Sequence, residues 1–281
     1  KTDMVRLLLD KRADLNVTDI NGWSALLFAV REHEKDLVKM LIEKGADVNA
    51  KDEWRGLPPL IWAVYKDETD LVELLIENGA DVNITVTSNV TALMCAAYNG
   101  YENTTTLLID KGADLNARDI NGRSALIWTI LKGERDMAKF LIDKGADLNV
   151  RDETGGTALI WAIYKGERDT AKLLIENGAD LNVKVHRNKM PALIWALDKN
   201  DTDTAKLLIG HGASPNVSDK GGWSALIWAV HKGDVDMATL LIEKGADLNV
   251  RDNIFNNTPL IWAIMNNNTD TAKLLIDKGA N

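Results

Sequence analysis

Two kinds of apolar segment alternate along the chain. In residues 117–149 the first is Ser124-Ala125-Leu126-Ile127-Trp128-Thr129-Ile130-Leu131, too short and too dense in apolar residues to be a solvated helix. It must be covered on most sides. After a break at Gly133 comes Asp136-Met137-Ala138-Lys139-Phe140-Leu141-Ile142, whose apolar residues at 137, 138, 140, 141 and 142 predict a second helix with a broad buried face. The pair therefore reads as helix, tight turn, helix, an all-α pattern. Gly145 can take the left-handed conformation that closes the second helix. Asp136 and the acids in its column (Asp3, Asp36, Asp70, Asp169, Asp203, Asp236, Asp270) are expected to cap that helix by accepting hydrogen bonds from its unpaired N–H groups. Asp119-Ile120-Asn121-Gly122 carries a turn signal, so each pair is preceded by a hairpin-like finger.

The pattern is periodic. Gly-Ala-Asp-Leu/Val-Asn recurs with its alanine at Ala46, Ala80, Ala113, Ala146, Ala179 and Ala246, with looser versions around Ala13, Ala213 and Ala280, at spacings of 33 or 34. One supersecondary unit is copied along the line. The period divides the chain into a half repeat 1–16 and repeats 17–49, 50–83, 84–116, 117–149, 150–182, 183–216, 217–249 and 250–281, expected to stack as one array. The ends are patterned like internal repeats, without polar outer faces, so the sequence reads as a piece of a longer array.

On these residues the chain resembles the ankyrin repeat family over its whole length. The finger Asp19-Ile20-Asn21-Gly22 and the closing Gly145-Ala146-Asp147-Leu148-Asn149 match the family pattern in order and spacing. The departure is the family's Thr-Pro-Leu-His at the first helix, which becomes Ser-Ala-Leu-Ile at 124–127 and 224–227; Thr258-Pro259-Leu260-Ile261 is nearest to it. In the family that histidine ties neighbouring repeats by hydrogen bonds, and here apolar contact is expected to replace the tie. The resemblance implies an ankyrin-repeat solenoid, a protein-binding role, and a first-helix face that lines a concave groove.

Comparison of the repeats with one another then separates columns. After the Leu-Ile pair stand Phe28, Trp62, Cys95, Trp128, Trp161, Trp195, Trp228 and Trp262, seven aromatic residues of eight. They suit a ladder in which each ring lies against the same residue one repeat away, or a row of ligand contacts flanked by Lys66, Lys132, Lys165, Lys199 and Lys232. Three residues later the column varies: Arg31, Tyr65, Tyr98, Leu131, Tyr164, Asp198, His231 and Met265. Stacking alone does not require such variety, so these are candidate partner contacts. So are the finger tips Trp23, Trp54, Arg123, His186, Arg187, Trp223 and Phe255, which sit where the family projects side chains toward solvent; packing onto the adjacent finger is the alternative. Repeats 50–83, 183–216 and 250–281 lengthen the finger by one residue. Repeat 84–116 breaks several rules together, with Cys95 for the ring, Asn99 for the lysine, Asn103 for the helix acid and the β-branched run Thr104-Thr105-Thr106, which predicts a softer joint.

Composition narrows the chemistry. The 281 residues are 46% hydrophobic and 27% charged, with no apolar run approaching the ~20 residues of a membrane span. One cysteine and four scattered histidines exclude a disulfide framework and the usual Cys/His zinc spacings, and point to a reducing, intracellular and cytoplasmic setting. Cys95 has no histidine in its own repeat and reads as a buried thiol. A net charge of −9 disfavours nucleic acid and anionic lipid as partners. Phosphate loops, zinc helices and nucleophile elbows are missing from the sequence, which calls for no cofactor, no metal and no catalytic residue. The expectation is a monomeric, non-catalytic scaffold for a protein or peptide partner. The alternative is a spacer or elastic segment of a larger membrane or cytoskeletal protein.

Overall fold

The computed structural model describes residues 14–185 and 190–281. Most of the half repeat 1–16, with Asp3, and the lengthened finger at His186, Arg187, Asn188 and Lys189 lie outside them. The described residues hold sixteen α-helices, one short 3-10 turn at Thr87–Asn89 and no strand, so the fold class is all-α. The chain divides into two compact units, residues 1–137 and 138–281.

The first unit contains the pairs Ala25–Arg31 with Lys35–Glu43, Pro59–Tyr65 with Thr69–Glu77, and Ala92–Tyr98 with Glu102–Asp110, then Ala125–Lys132. The helix Arg135–Asp143 runs across the division. In the second unit Ala158–Lys165 pairs with Arg168–Glu176, Ala192–Asp198 with Thr202–Gly210, Ala225–Lys232 with Val235–Glu243, and Pro259–Met265 with Thr269–Asp277. Within each unit the first helices of successive pairs pack side by side, as the density of their apolar residues requires. Leu60, Ile61, Ala63 and Val64 have at most 1% of their surface in water. The second helices bury a single stripe, Val38 and Leu41 in one, Leu71, Val72 and Leu75 in the next.

Left-handed residues punctuate both ends of the second helix. The turn before it uses Gly133, Asp67 or Asn267, and Gly145 follows it at φ +88°. The acid column sits two positions inside the capping place that the sequence suggested for it. The capping places belong to Glu34, Glu68, Glu167, Asp201 and Asp234, and only the last two accept a bond from the helix, from Thr204 N–H and Met237 N–H. Asp36, Asp70, Asp169, Asp203, Asp236 and Asp270 lie within the first turn, where they favour the positive end of the helix dipole rather than capping it. Asp70 also accepts from Lys35 Nζ of the preceding pair at 2.8 Å, which lowers its carboxyl below the usual range.

A polar tie between successive repeats is present, contrary to the expectation that apolar contact alone replaces it. Within each unit, closing asparagines accept from a backbone N–H one period on. In the first unit Asn16, Asn49 and Asn83 take Asp47, Asp81 and Asp114 at 2.8–3.1 Å. In the second, Asn149, Asn182, Asn216 and Asn249 take Asp180, Ser214, Asp247 and Asn281 at 2.8–3.0 Å. Fingers join as well, through Glu53 N–H to Asn21 O, Ile120 N–H to Ser88 O and Asn253 N–H to Gly221 O. The approach is close enough that a Cβ on Gly222 would stand 2.8 Å from Asn253 N.

Candidate binding site

The finger aspartate organises the ring column. Oδ1 of Asp152 accepts from Thr154 N–H and Gly156 N–H, both at 2.9 Å, which holds the turn, and Oδ2 accepts from the indole Nε1–H of Trp161 at 2.8 Å. The same indole-to-carboxylate bond joins Trp62 to Asp52, Trp128 to Asp119, Trp228 to Asp219 and Trp262 to Asp252, at 3.0–3.3 Å. At Asp252 burial pushes the carboxyl up, but four hydrogen bonds into it, from three backbone N–H groups and the indole, outweigh burial and leave it below its ordinary value. These tryptophans are thus spokes between finger and first helix. Among the described residues of each unit, their rings do not lie against the same column one repeat away. A different ring stands between: Tyr164 lies 5.7 Å from Trp161 and 5.3 Å from Trp195, both edge-on, and Trp23 lies 5.3 Å from Phe28 and 5.1 Å from Trp62.

Repeat 84–116 lacks both ends of the spoke. Val86 stands where the acid is expected and Cys95 where the ring is. Its finger turns without an aspartate, through a 3-10 turn with Ser88 and Asn89 in the left-handed region, and Val86 N–H still reaches Val90 O at 3.0 Å. With a thiol in place of an indole, a cavity of about 610 Å³ opens in the first unit. Leu57, Tyr65 and Cys95 line it together with Tyr98 and Trp128, whose rings stand 5.4 Å apart and edge-to-face. Trp54 and Arg55 of the preceding finger, Val86, Thr87 and Val90 of its own, and Asn99 and Tyr101 complete the lining. The volume lies within the ~300–1,000 Å³ of ligand-holding clefts.

Cys95 and Tyr65 are chemically quiet. Burial pushes the Cys95 thiol from an ordinary 9.0 up to about 11, against a smaller opposing effect of the hydrogen bond it receives from the Tyr65 hydroxyl. Tyr65 is itself raised to about 12 by burial and by the neighbouring sulfur. A thiolate is scarce here at neutral pH, which suits packing rather than attack. No group of three or more His, Cys, Asp or Glu side chains suited to a metal ion occurs among the described residues. Charge is confined to the rim: the Arg55 guanidinium lies 4.3 Å over the Trp54 ring and the Lys132 ammonium 5.1 Å from the Tyr98 ring.

Three of the residues singled out from sequence meet at this cavity: Trp54, Tyr65 and Tyr98. Trp23 corrects the expectation of a solvent-facing tip, being only 8% exposed, wedged against Trp62 and covered by Arg31 at 4.8 Å. Trp223 is corrected likewise. It is half-buried and packs on Trp228, His231 and Trp262, because the next repeat's indole offers it more apolar surface than water does. Phe255 is a true tip, 63% exposed, and Met265 and Tyr164 are exposed at 63% and 45%. Arg123 and Leu131 are half-buried and Asp198 is exposed, each apart from the cavity. His186 lies outside the described residues. Sequence reasoning missed the spoke: acid and ring are both lost in repeat 84–116, but Val185 occurs with Trp195 and Asp19 with Phe28, so the columns do not change in step.

A family model described as ankyrin repeats, in three copies, matches residues 1–52, 51–119, 93–185 and 193–281. A search of the curated proteins finds no match. No helix among the described residues is long and apolar enough to cross a membrane.

Proposed function

We propose that this chain, which belongs to the ankyrin-repeat family, is a non-catalytic binding module that holds a protein segment on its first-helix face and finger tips, seated in the cavity between Trp54 and Trp128. Ankyrin repeats are generally protein-interaction modules, and the family is typically non-catalytic. The observation that supports this seat is the open cavity in repeat 84–116, where the other rings of the column would fill the space and Cys95 does not. A spacer has no use for a largely apolar hollow lined by five aromatic residues, so the hollow favours binding over that alternative. The repeat bounds given above, the monomeric state, the intracellular setting and the preference for protein over nucleic acid, which the charge of −9 supports, belong to the same reading.

The test uses the whole chain to capture partners from its native cell, then measures a recovered partner against variants. Trp54 is 69% exposed, so Trp54→Ala leaves the fold intact and is expected to weaken binding at least about tenfold. Lys39→Ala, on the exposed side of a second helix, is expected to change it less than about twofold. Equal losses, or none with either variant, would refute the face.

A further inference from the structure

We infer that the cavity receives a phenylalanine side chain of a partner segment that carries a carboxylate within a residue or two of that ring. This rests on the protein-binding reading above and names what such a partner presents.

The chain itself shows what the place accepts. In the neighbouring repeats 50–83 and 117–149 the column is filled by an indole bonded to its finger carboxylate. Repeat 84–116 keeps the same helix pair and leaves the ring out. A guest ring entering there meets the edge-to-face pair Tyr98 and Trp128, the arrangement that aromatic quadrupoles favour. The Tyr65 hydroxyl gives its hydrogen to the Cys95 sulfur, so it has no donor left to strand against an apolar guest.

The kind of ring follows from the loss of the acid. An indole in this column gives its N–H to a finger carboxylate in five repeats, and here it would meet Val86. Trp195 shows the result where the acid alone is lost: Val185 stands in its place, and the buried Nε1 has no acceptor among the described residues. A phenyl group has no donor to strand. The volume of about 610 Å³ exceeds one ring and leaves space for the flanking backbone.

The carboxylate follows from the rim. Among the residues lining the cavity Arg55 carries the one formal charge, and Lys132 adds a second cation beside Tyr98. No lining residue is acidic, in a chain whose net charge is −9. A partner carboxylate next to the ring is attracted to both cations and finds no like charge in the lining.

The experiment titrates the full chain with an acetylated and amidated peptide of sequence Gly-Phe-Gly-Asp-Gly, and with versions in which Phe is replaced by Ala, Leu or Trp or Asp by Lys. Binding is followed by the indole N–H resonances of Trp54 and Trp128. The Phe-Asp peptide is expected to bind saturably and to shift both resonances, with every replacement weaker and the Ala and Lys versions at least about tenfold so. The double variant Val86→Asp, Cys95→Trp restores the spoke and fills the space, and is expected to abolish binding. Arg55→Glu, at an exposed tip where the guanidinium rests only on the Trp54 ring, is expected to weaken the Phe-Asp peptide and spare the Lys version. The proposal is overturned if the Phe-Asp peptide fails to saturate, if Leu matches Phe, or if the filled variant, shown folded by its helical spectrum, binds as well as the parent. It is overturned too if the parent proves to be a dimer that the filled variant dissolves, since a second copy is then the occupant. Failure of the peptide while Trp54→Ala still releases a captured partner removes only this inference; failure of both removes the binding face itself.

Discussion

Cys95 is the residue on which the local chemistry turns. Its thiol is only 4% exposed, and burial is what raises it to about 11. Because the folded value lies above the ordinary 9.0, folding gains from the protonated form; that gain is complete below pH 9 and is lost as pH rises through about 11. At ~1.4 kcal/mol per pH unit the full span corresponds to about 3 kcal/mol. Denaturant unfolding at pH 8 and pH 10.5 is expected to show the parent losing about 2 kcal/mol more than Cys95→Ala over that interval. Matching losses would show that the thiol is not held out of water. The anomaly at this residue was visible in the sequence, since seven of eight column members are aromatic. The cavity was not, because a vacancy is defined by neighbours one period away on each side, and the sequence says nothing of whether they close over it.

Between elements, the finger and the first helix are joined by one carboxylate used on both sides. Asp152 is 4% exposed and accepts from two backbone N–H groups and an indole. Asp152→Ala leaves those donors, the buried Gly156 N–H among them, without this partner, and the expected cost is about 2–4 kcal/mol in denaturant unfolding, against less than about 0.5 kcal/mol for the exposed neighbour Glu153→Ala. A loss no larger than the control's would mean the spoke carries no stability. Helices and turns were legible because period, glycine placement and apolar density are local properties. Finger direction was not. Trp23 and Trp223 turn inward because the next repeat presents Trp62 and Trp262 to them, whereas Trp54 and Phe255 stay in water. The asparagine ladder was likewise hidden: the residue was conspicuous, but its acceptor role depends on a backbone N–H about thirty residues further on.

At the scale of the molecule, charge decides which class of partner the rim cations can serve. Arg55 and Lys132 sit in a chain of net charge −9, so an extended polyanion that gained two contacts would face repulsion elsewhere along its length. A labelled single-stranded oligonucleotide of about 20 bases is expected to show no anisotropy change with the chain at physiological salt. Persistent binding there would reverse the choice of protein over nucleic acid. The spokes have an optical consequence too. Of nine tryptophans, five donate to a carboxylate, Trp195 has valine in that place, and Trp54 stands in water. Indole emission follows the polarity around the ring. The repeats are therefore marked from within by colour, and variants that keep one tryptophan at a time turn the chain's own fluorescence into a repeat-by-repeat record of where it opens first.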